Sequence, residues 1–355
     1  MYMTALVCLY CASKLLTTED RAYCQNCITD WPIIDGVPVV VDSLTTYIRT
    51  TAARSETAKS KTFGPLLRSL ERPDFLNKLT ETSQLDLLIE CANAHRANFE
   101  FFDHLLDPLS VITSKGEVFD ENDLSPHLGG YGPVAAVEYL LQDWRNDTND
   151  GLELANLHLP AERCERAVVL GSGAGRALAV LAERVDEVIG VDLSYLLAQS
   201  SNLLCQGQFI SIHEIRLNHV RKISDRITVH RLGDGVVHKN VSIVVGDAIR
   251  TPLSSGCADW VVASFLFDLL ADGRLLIQEI RRLLRPGGFA VLMTVFGYDQ
   301  DNLWSYYTPE QILRIFEEFG FRIITTSWHV HSYLNSPKST LARHSEMLRI
   351  FARVL

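Results

Sequence analysis

The 355-residue chain has no apolar run approaching the length of a membrane span, so an integral helical membrane protein is not the expected class. Its opening apolar stretch is short, holds Cys8 and Cys11, and lacks the basic flank and small-residue cleavage site of a secretory signal. A cytoplasmic location is therefore expected. Positive charge is in deficit: 33 Lys and Arg face 43 Asp and Glu, giving a net charge of -10. That balance disfavours nucleic acid as a partner, although segregated charge can still build a local basic patch. Eight cysteines over this length are too few for a disulfide scaffold. What the chain does have is apolar content, 47% of it, enough for a large core in a main domain with one or two smaller units. Composition leaves homo-oligomer formation open.

The cysteines are informative through spacing. Cys8-Leu9-Tyr10-Cys11 and Cys24-Gln25-Asn26-Cys27 are two C-x2-C turns separated by twelve residues, a pattern that can present four thiolates to one tetrahedral ion. Structural zinc is the expected occupant, because a closed four-sulfur site leaves no open position for chemistry; two chance surface turns are the alternative. Cys91, Cys164, Cys205 and Cys257 lack such spacing and read as small buried hydrophobes. Trp31 to Val41 then reads as strand, Asp35-Gly36 turn and strand. The cysteine array and this string together resemble the zinc-ribbon module of the activator subunit of certain tRNA and protein methyltransferases, over about residues 1–43.

Between 44 and 160 the pattern turns helical. Leu85, Leu88, Ala92, His95, Phe99 and Phe102 recur at helical spacing, and 134–144 repeats the trend after the glycine-rich stretch 129–133. A helical cover over a binding site is expected there. The remainder, 161–355, predicts an α/β domain with strands at 166–171, 187–191, 241–246, 259–266, 289–296, 321–327 and 347–353, and helices at 274–285 and 309–319. Thr308, Pro309 and Gln311 carry the start signal of the last helix. The segment 205–240 is longer than an ordinary crossover, and its run His219, Arg221, Lys222, Arg226, His230, Arg231 reads as a solvated face, or else as a contact for an anionic substrate.

The run Val168 to Gly175 reads as a strand entering a glycine turn, with Gly171, Ser172, Gly173 and Gly175 before an apolar helix pattern. A second strand follows and ends in Asp192, 21 residues after Gly171. This geometry suits an adenosine-containing cofactor: glycine lets the backbone approach the ligand, and the terminal acid can accept hydrogen bonds from ribose hydroxyls.

Val244-Val245-Gly246-Asp247-Ala248, the strand Asp259 to Leu266, and Leu284-Arg285-Pro286-Gly287-Gly288 follow in an order that resembles the class I S-adenosylmethionine-dependent methyltransferases. That resemblance implies a Rossmann-like seven-stranded core with S-adenosylmethionine as cofactor. It places the glycine turn on the methionine and ribose portion, Asp192 on the ribose hydroxyls, and Asp247 with Ala248 at the adenine. A dinucleotide dehydrogenase is the structural rival. In finer outline, Tyr139 to Trp144, Ser201-Asn202, Phe267-Asp268 and Tyr333 to Ser339 resemble the carnosine N-methyltransferase group, which methylates a ring nitrogen of a histidine-containing dipeptide. That group uses an acid at the Asp268 position to hold the imidazole. It has a histidine where this chain has Asp299, and it shares Tyr298.

These residues set the expectations for chemistry. Methyl transfer requires an unprotonated nucleophile in line with the sulfonium methyl and shielded from water. Asp268 is the expected acid beside the acceptor, with capping of a helix as its alternative role. Asp299 and Tyr298 are expected at the same sheet edge, binding substrate or folding the turn. Tyr131 and Tyr333 are candidates for a lid wall facing the sulfonium, and His329 or His331 for a base. An N- or O-methyltransferase of a small amine, amino acid or natural-product precursor is the favoured function. Intramolecular cyclisation of S-adenosylmethionine with release of methylthioadenosine is the first alternative, and RNA or protein methylation the second.

Overall fold

A computed structural model describes residues 5–70, 82–113, 131–298, 306–332 and 335–355. Four short strands, β1 (Leu16–Thr17), β2 (Arg21–Cys24), β3 (Thr29–Ile34) and β4 (Val37–Pro38), form an antiparallel sheet at the N-terminal end. The β3–β4 turn is Asp35-Gly36, both in the left-handed region with φ of 50° and 81°, as a two-residue hairpin loop demands. Among the described residues four helices follow: α1 (Leu44–Leu70), α2 (Thr82–Thr113), α3 (Pro133–Trp144) and α4 (Asp150–Asn156). The hydrophobic spacing anticipates α2 and α3. It does not single out α1, whose sequence is rich in Thr, Ser, Arg and Lys.

The rest alternates strand and helix: β5 (Cys164–Leu170), α5 (Arg176–Leu181), β6 (Val185–Asp192), α6 (Tyr195–Cys205), β7 (Ile210–Ile215), β8 (Ile227–Leu232), β9 (Val241–Val245), β10 (Ala258–Ser264), α7 (Gly273–Leu283), β11 (Leu284–Thr294), α8 (Pro309–Glu318), β12 (Phe321–Ser332) and β13 (His344–Val354). Seven of these strands form one mixed sheet in the order β12-β13-β11-β10-β5-β6-β9, with β13 antiparallel to both neighbours. This is the Rossmann-like seven-stranded fold that the sequence predicts. The long 205–240 segment contains the hairpin β7–β8, which pairs apart from the main sheet. Thr308 caps α8 as its sequence predicts: its side chain accepts from the Gln311 N–H while Gln311 Oε1 accepts from the Thr308 N–H. Among the described residues no helix is long and apolar enough to cross a membrane.

The central strands are buried on both faces, and alternate residues feed two cores. Val169, Val188, Val262 and Val291 point to one, where Phe102 of α2 and Leu140 and Trp144 of α3 pack. Val168, Leu170, Ile189 and Val261 point to the other, which α7 and α8 share with Leu6, Leu15 and Trp31 of the N-terminal unit. That unit also extends the sheet at its β9 edge, where the Val40 N–H donates to the Val245 carbonyl at 2.9 Å and Val39 bridges Val245 in parallel. An unpaired edge is an open template for another chain, and here the protein's own N-terminal segment occupies it. Trp31 anchors the join, buried and donating its indole N–H to the Val41 carbonyl at 2.9 Å. Trp31→Ala should cost about 3–5 kcal/mol, read as a lower denaturation midpoint by circular dichroism; an unchanged midpoint would show that the N-terminal unit contributes nothing to the common core.

Candidate functional site

Chain order reverses between β5 and β10, and the crevice beyond the carboxyl ends of these strands is where open α/β sheets bind ligands. A cavity of about 370 Å³ lies there, walled by the glycine turn, the ends of β6, β9 and β10, and helices of the preface, the helical stretch between the N-terminal sheet and β5. Gly171, Ser172, Gly173, Asp192, Asp247, Ala248 and Tyr131 all line it.

The glycine turn is shaped by two constraints. Gly175, φ 91°, starts α5, and a Cβ on it would lie 2.0 Å from Ser201 Oγ of α6. Gly173, φ 56°, lines the cavity, and a Cβ there would meet no protein atom within 4 Å. The first glycine lets two helices approach, whereas the second leaves open space against the backbone for a ligand. Ser172 Oγ is buried without a protein hydrogen-bond partner among the described residues, an unmet polar group beside that space.

Two carboxylates face the cavity from adjacent strands. Asp192 ends β6; its Oδ2 accepts from the Gly173 N–H and its Oδ1 from the Ser194 N–H, both at 2.7 Å. Burial pushes its pKa up to about 6, while these two bonds favour the charged form. Asp247 follows β9 and accepts from the Ile249 N–H at 3.0 Å; burial raises it above the ordinary carboxylate range. Each oxygen can accept a further bond, so the pair offers acceptor sites to ligand hydroxyl or amino groups.

The structure adds two groups that sequence reasoning passed over. Asp143, near the end of α3, lines the cavity beside the glycine turn, and burial holds its pKa up to about 7 against the backbone N–H groups of Arg176 and Ala174. It lies within the Tyr139–Trp144 string, whose resemblance was visible but not its role. His158 and Ser264 form the second. His158 is 3% exposed, with Nδ1 3.1 Å from the Ala155 carbonyl and Nε2 2.6 Å from Ser264 Oγ. A carbonyl only accepts, so Nδ1 carries the proton and Nε2 accepts from the Ser264 hydroxyl. Burial lowers this histidine to about 4, which keeps the ring neutral near pH 7. No local motif flags His158; its partner is 106 residues away. Beside Ser264, Phe265 has φ 54°, rare for a bulky side chain, and is held by its N–H to the Met293 carbonyl at 2.9 Å. Phe265, Leu266, Leu269, Leu270 and the Tyr131–Tyr139 ring pair make that end of the cavity apolar.

Asp268 is a correction. It is buried and does not line the cavity: Oδ1 accepts from Thr294 Oγ1 at 3.1 Å and Oδ2 from the Gly297 N–H at 2.8 Å. Its carboxylate fastens the loop after β10 to the chain leaving β11, because those two groups reach it first. Tyr298 also lies off the cavity wall, donating its hydroxyl to the Tyr307 carbonyl at 2.9 Å and stacking on Tyr306, with burial pushing its pKa up to about 12. Asp299 and Tyr333 lie outside the described residues. His331 is buried against Phe265, and His329 bonds Ser327. Of the basic run, His230 is buried on Glu214 at 2.9 Å, Arg221, Lys222 and Arg231 are exposed, and none of them lines the cavity.

Away from the cavity, the ligand atoms of Cys8, Cys11, Cys24 and Cys27 all lie within 4.8 Å of one another. Backbone N–H groups of Tyr10 and Cys27 point at the Cys8 and Cys24 sulfurs at 3.4 Å, a feature that favours thiolates. Sulfurs about 2.3 Å from a tetrahedral ion sit about 3.8 Å apart, so the donor set fits one.

Residues 168–292 match the protein family described as a methyltransferase domain. A curated relative, the malonyl-[acyl-carrier protein] O-methyltransferase of Marinomonas sp. (strain MWYL1), is 24% identical over 200 residues, 52% of this chain and 63% of that protein. The chain thus spans under two thirds of the relative's length. Similar solved structures include a putative methyltransferase of Bacillus halodurans (TM-score 0.41, 15% identity, 58% of this chain and 99% of that one). Another is the Haloferax volcanii complex between the Trm112 methyltransferase activator and a putative methyltransferase (0.43, 16%, 62% and 94%). The [4+2]-cyclase SpnF is a third (0.41, 15%, 62% and 92%).

Gly175→Ala tests the turn. A left-handed non-glycine residue plus the overlap with Ser201 should cost about 2–5 kcal/mol, measured by denaturant titration, with partial recovery when Ser201 is also made Ala. Stability equal to wild type would refute the packing account.

Proposed function

We propose that the protein is an S-adenosylmethionine-dependent methyltransferase acting on a small acceptor. The observation that carries this reading is the convergence of Gly173, Asp192 and Asp247 on one cavity within the segment that matches the methyltransferase-domain family. Asp192 would accept from the ribose hydroxyls and Asp247 from the adenine amino group, each through lone pairs left over after its backbone bond. Asp143 weighs against a dinucleotide. A pyrophosphate would sit on the N–H groups of the glycine turn, and a carboxylate already lies against them.

When bound, S-adenosylmethionine supplies an electrophilic methyl group on a sulfonium. The chain's own residues account for the acceptor side. Phe265, Leu266, Leu269 and Leu270 exclude water and favour an apolar acceptor body. Ser264 donates to His158 and therefore keeps its lone pairs for an acceptor O–H. A hydroxyl attacking a methyl group becomes strongly acidic as the bond forms, so a weakly basic buried imidazole suffices to take the proton through Ser264; an amine would keep its proton. Oxygen is therefore the favoured acceptor atom, in keeping with the "O-methyltransferase" in the relative's name. The four cysteines would hold zinc as a structural ion, since none of them lines the cavity.

Asp192→Ala should weaken S-adenosylmethionine binding by about 1.5–3 kcal/mol in calorimetry; wild type that does not bind, or a variant that binds equally well, defeats the cofactor reading. Incubation with methyl-labelled S-adenosylmethionine and pooled hydroxylated acceptors should yield a methyl ether or ester, reduced about 100-fold in Ser264→Ala and His158→Ala at unchanged cofactor affinity. A cyclic amino acid and methylthioadenosine from S-adenosylmethionine alone would replace methyl transfer by cyclisation. Elemental analysis should find one zinc per chain, and Cys24→Ser should lower both metal content and thermal stability; metal-free, fully folded protein would reject the zinc assignment.

A further inference from the structure

We infer that Asp143 receives the α-ammonium group of the cofactor's methionine portion, so that the helical cover selects ligands that carry the amino acid over those with adenosine alone. The inference rests on the cofactor reading above and concerns a different part of the ligand from the one Asp192 and Asp247 would hold.

Three observations place the residue. First, α3 is fixed to the glycine turn: the Trp144 indole N–H donates to the Ala174 carbonyl at 2.7 Å, and the Arg176 guanidinium lies over the Trp144 ring at 4.6 Å. The carboxylate of Asp143 is thereby held against the turn by a rigid neighbour. Second, Asp143 lines the same cavity as Gly171 and Gly173, on the side where a ligand running from Asp247 past Asp192 would place its far end. Third, its charge is poorly compensated. Only backbone N–H groups face it, that of Arg176 at 3.5 Å and that of Ala174, and among the described residues no Lys, Arg or His side chain forms a salt bridge with it. The Arg176 guanidinium turns instead to Asp234 at 3.2 Å. A carboxylate buried with this little support is costly unless a cation arrives. Burial accordingly keeps Asp143 near neutrality in the free protein.

An ammonium group fits that deficit in charge and in hydrogen-bonding capacity: three N–H donors meet a carboxylate that has acceptor sites to spare. Of the acids that line the cavity, Asp192 and Asp247 face the ribose and adenine portions in the cofactor reading, and Asp143 is the acid supplied by the helical cover.

The test compares three thioether ligands by calorimetry: S-adenosylhomocysteine, with both amine and carboxylate; S-adenosyl-3-thiopropylamine, with the amine only; and methylthioadenosine, with neither. Wild type should prefer the two amines to methylthioadenosine. Asp143→Asn should lower affinity for both amines about 10–100-fold, the range of a charge-assisted hydrogen bond, and leave methylthioadenosine within about 3-fold. Asp143→Glu, which keeps the charge, should retain part of the preference. Because a desolvated carboxylate is removed, free Asp143→Asn protein should melt no lower than wild type, which separates a binding loss from misfolding. Equal losses for all three ligands, or an unchanged preference in Asp143→Asn, overturn the proposal while leaving the cofactor reading intact. Wild type that binds none of the three overturns both.

Discussion

Asp192 is a buried acid gripped by two backbone N–H groups, one from the glycine turn and one from the start of α6. Desolvating a carboxylate is expensive, and these bonds offset the cost only if β5, β6 and the turn are held in register. The pairing of Val168 with Ile189 and of Leu170 with Val191 supplies that register. The turn in turn depends on Gly175, where α6 comes so close that a side chain would overlap Ser201. Sheet, turn and acid thus form one mechanical unit, and the cavity is the space left above it.

The preface and the N-terminal unit solve different problems for that sheet. The four-cysteine unit completes the β9 edge and fills the core beneath α7 and α8. On the opposite face α2 and α3 contribute Phe102, Leu140 and Trp144 to the core, and α3 brings Asp143 to the turn. The site is therefore not a property of the α/β domain alone: the preface supplies Asp143, Tyr131 and Tyr139 to its wall, and the loop before β5 supplies His158.

Strain and fastening gather at the loop after β10. Phe265 adopts a left-handed backbone that costs energy, and Asp268, three residues later, ties the loop to Thr294 and Gly297. An acid expected to hold substrate instead holds the loop. Its carboxylate lies inside the protein, and the face of the loop that meets the cavity is formed by Ser264, Phe265, Leu266, Leu269 and Leu270.

Periodicity and local punctuation determined the seven strands, the capped start of α8 and the glycine turn, because each rests on neighbours within a few residues. The paired C-x2-C turns likewise gathered as their spacing implied, since a short hairpin can bring them together without the rest of the fold. Only the tertiary structure decided which side chains share the cavity. His158 meets Ser264 across 106 residues, and Asp143 meets a turn that follows it by about thirty; no local pattern encodes such meetings. The direction of Asp268 escaped the sequence for the same reason. A residue's place at a strand end is written in the chain, but whether its carboxylate turns to the cavity or to a buried hydroxyl depends on what other segments bring within reach.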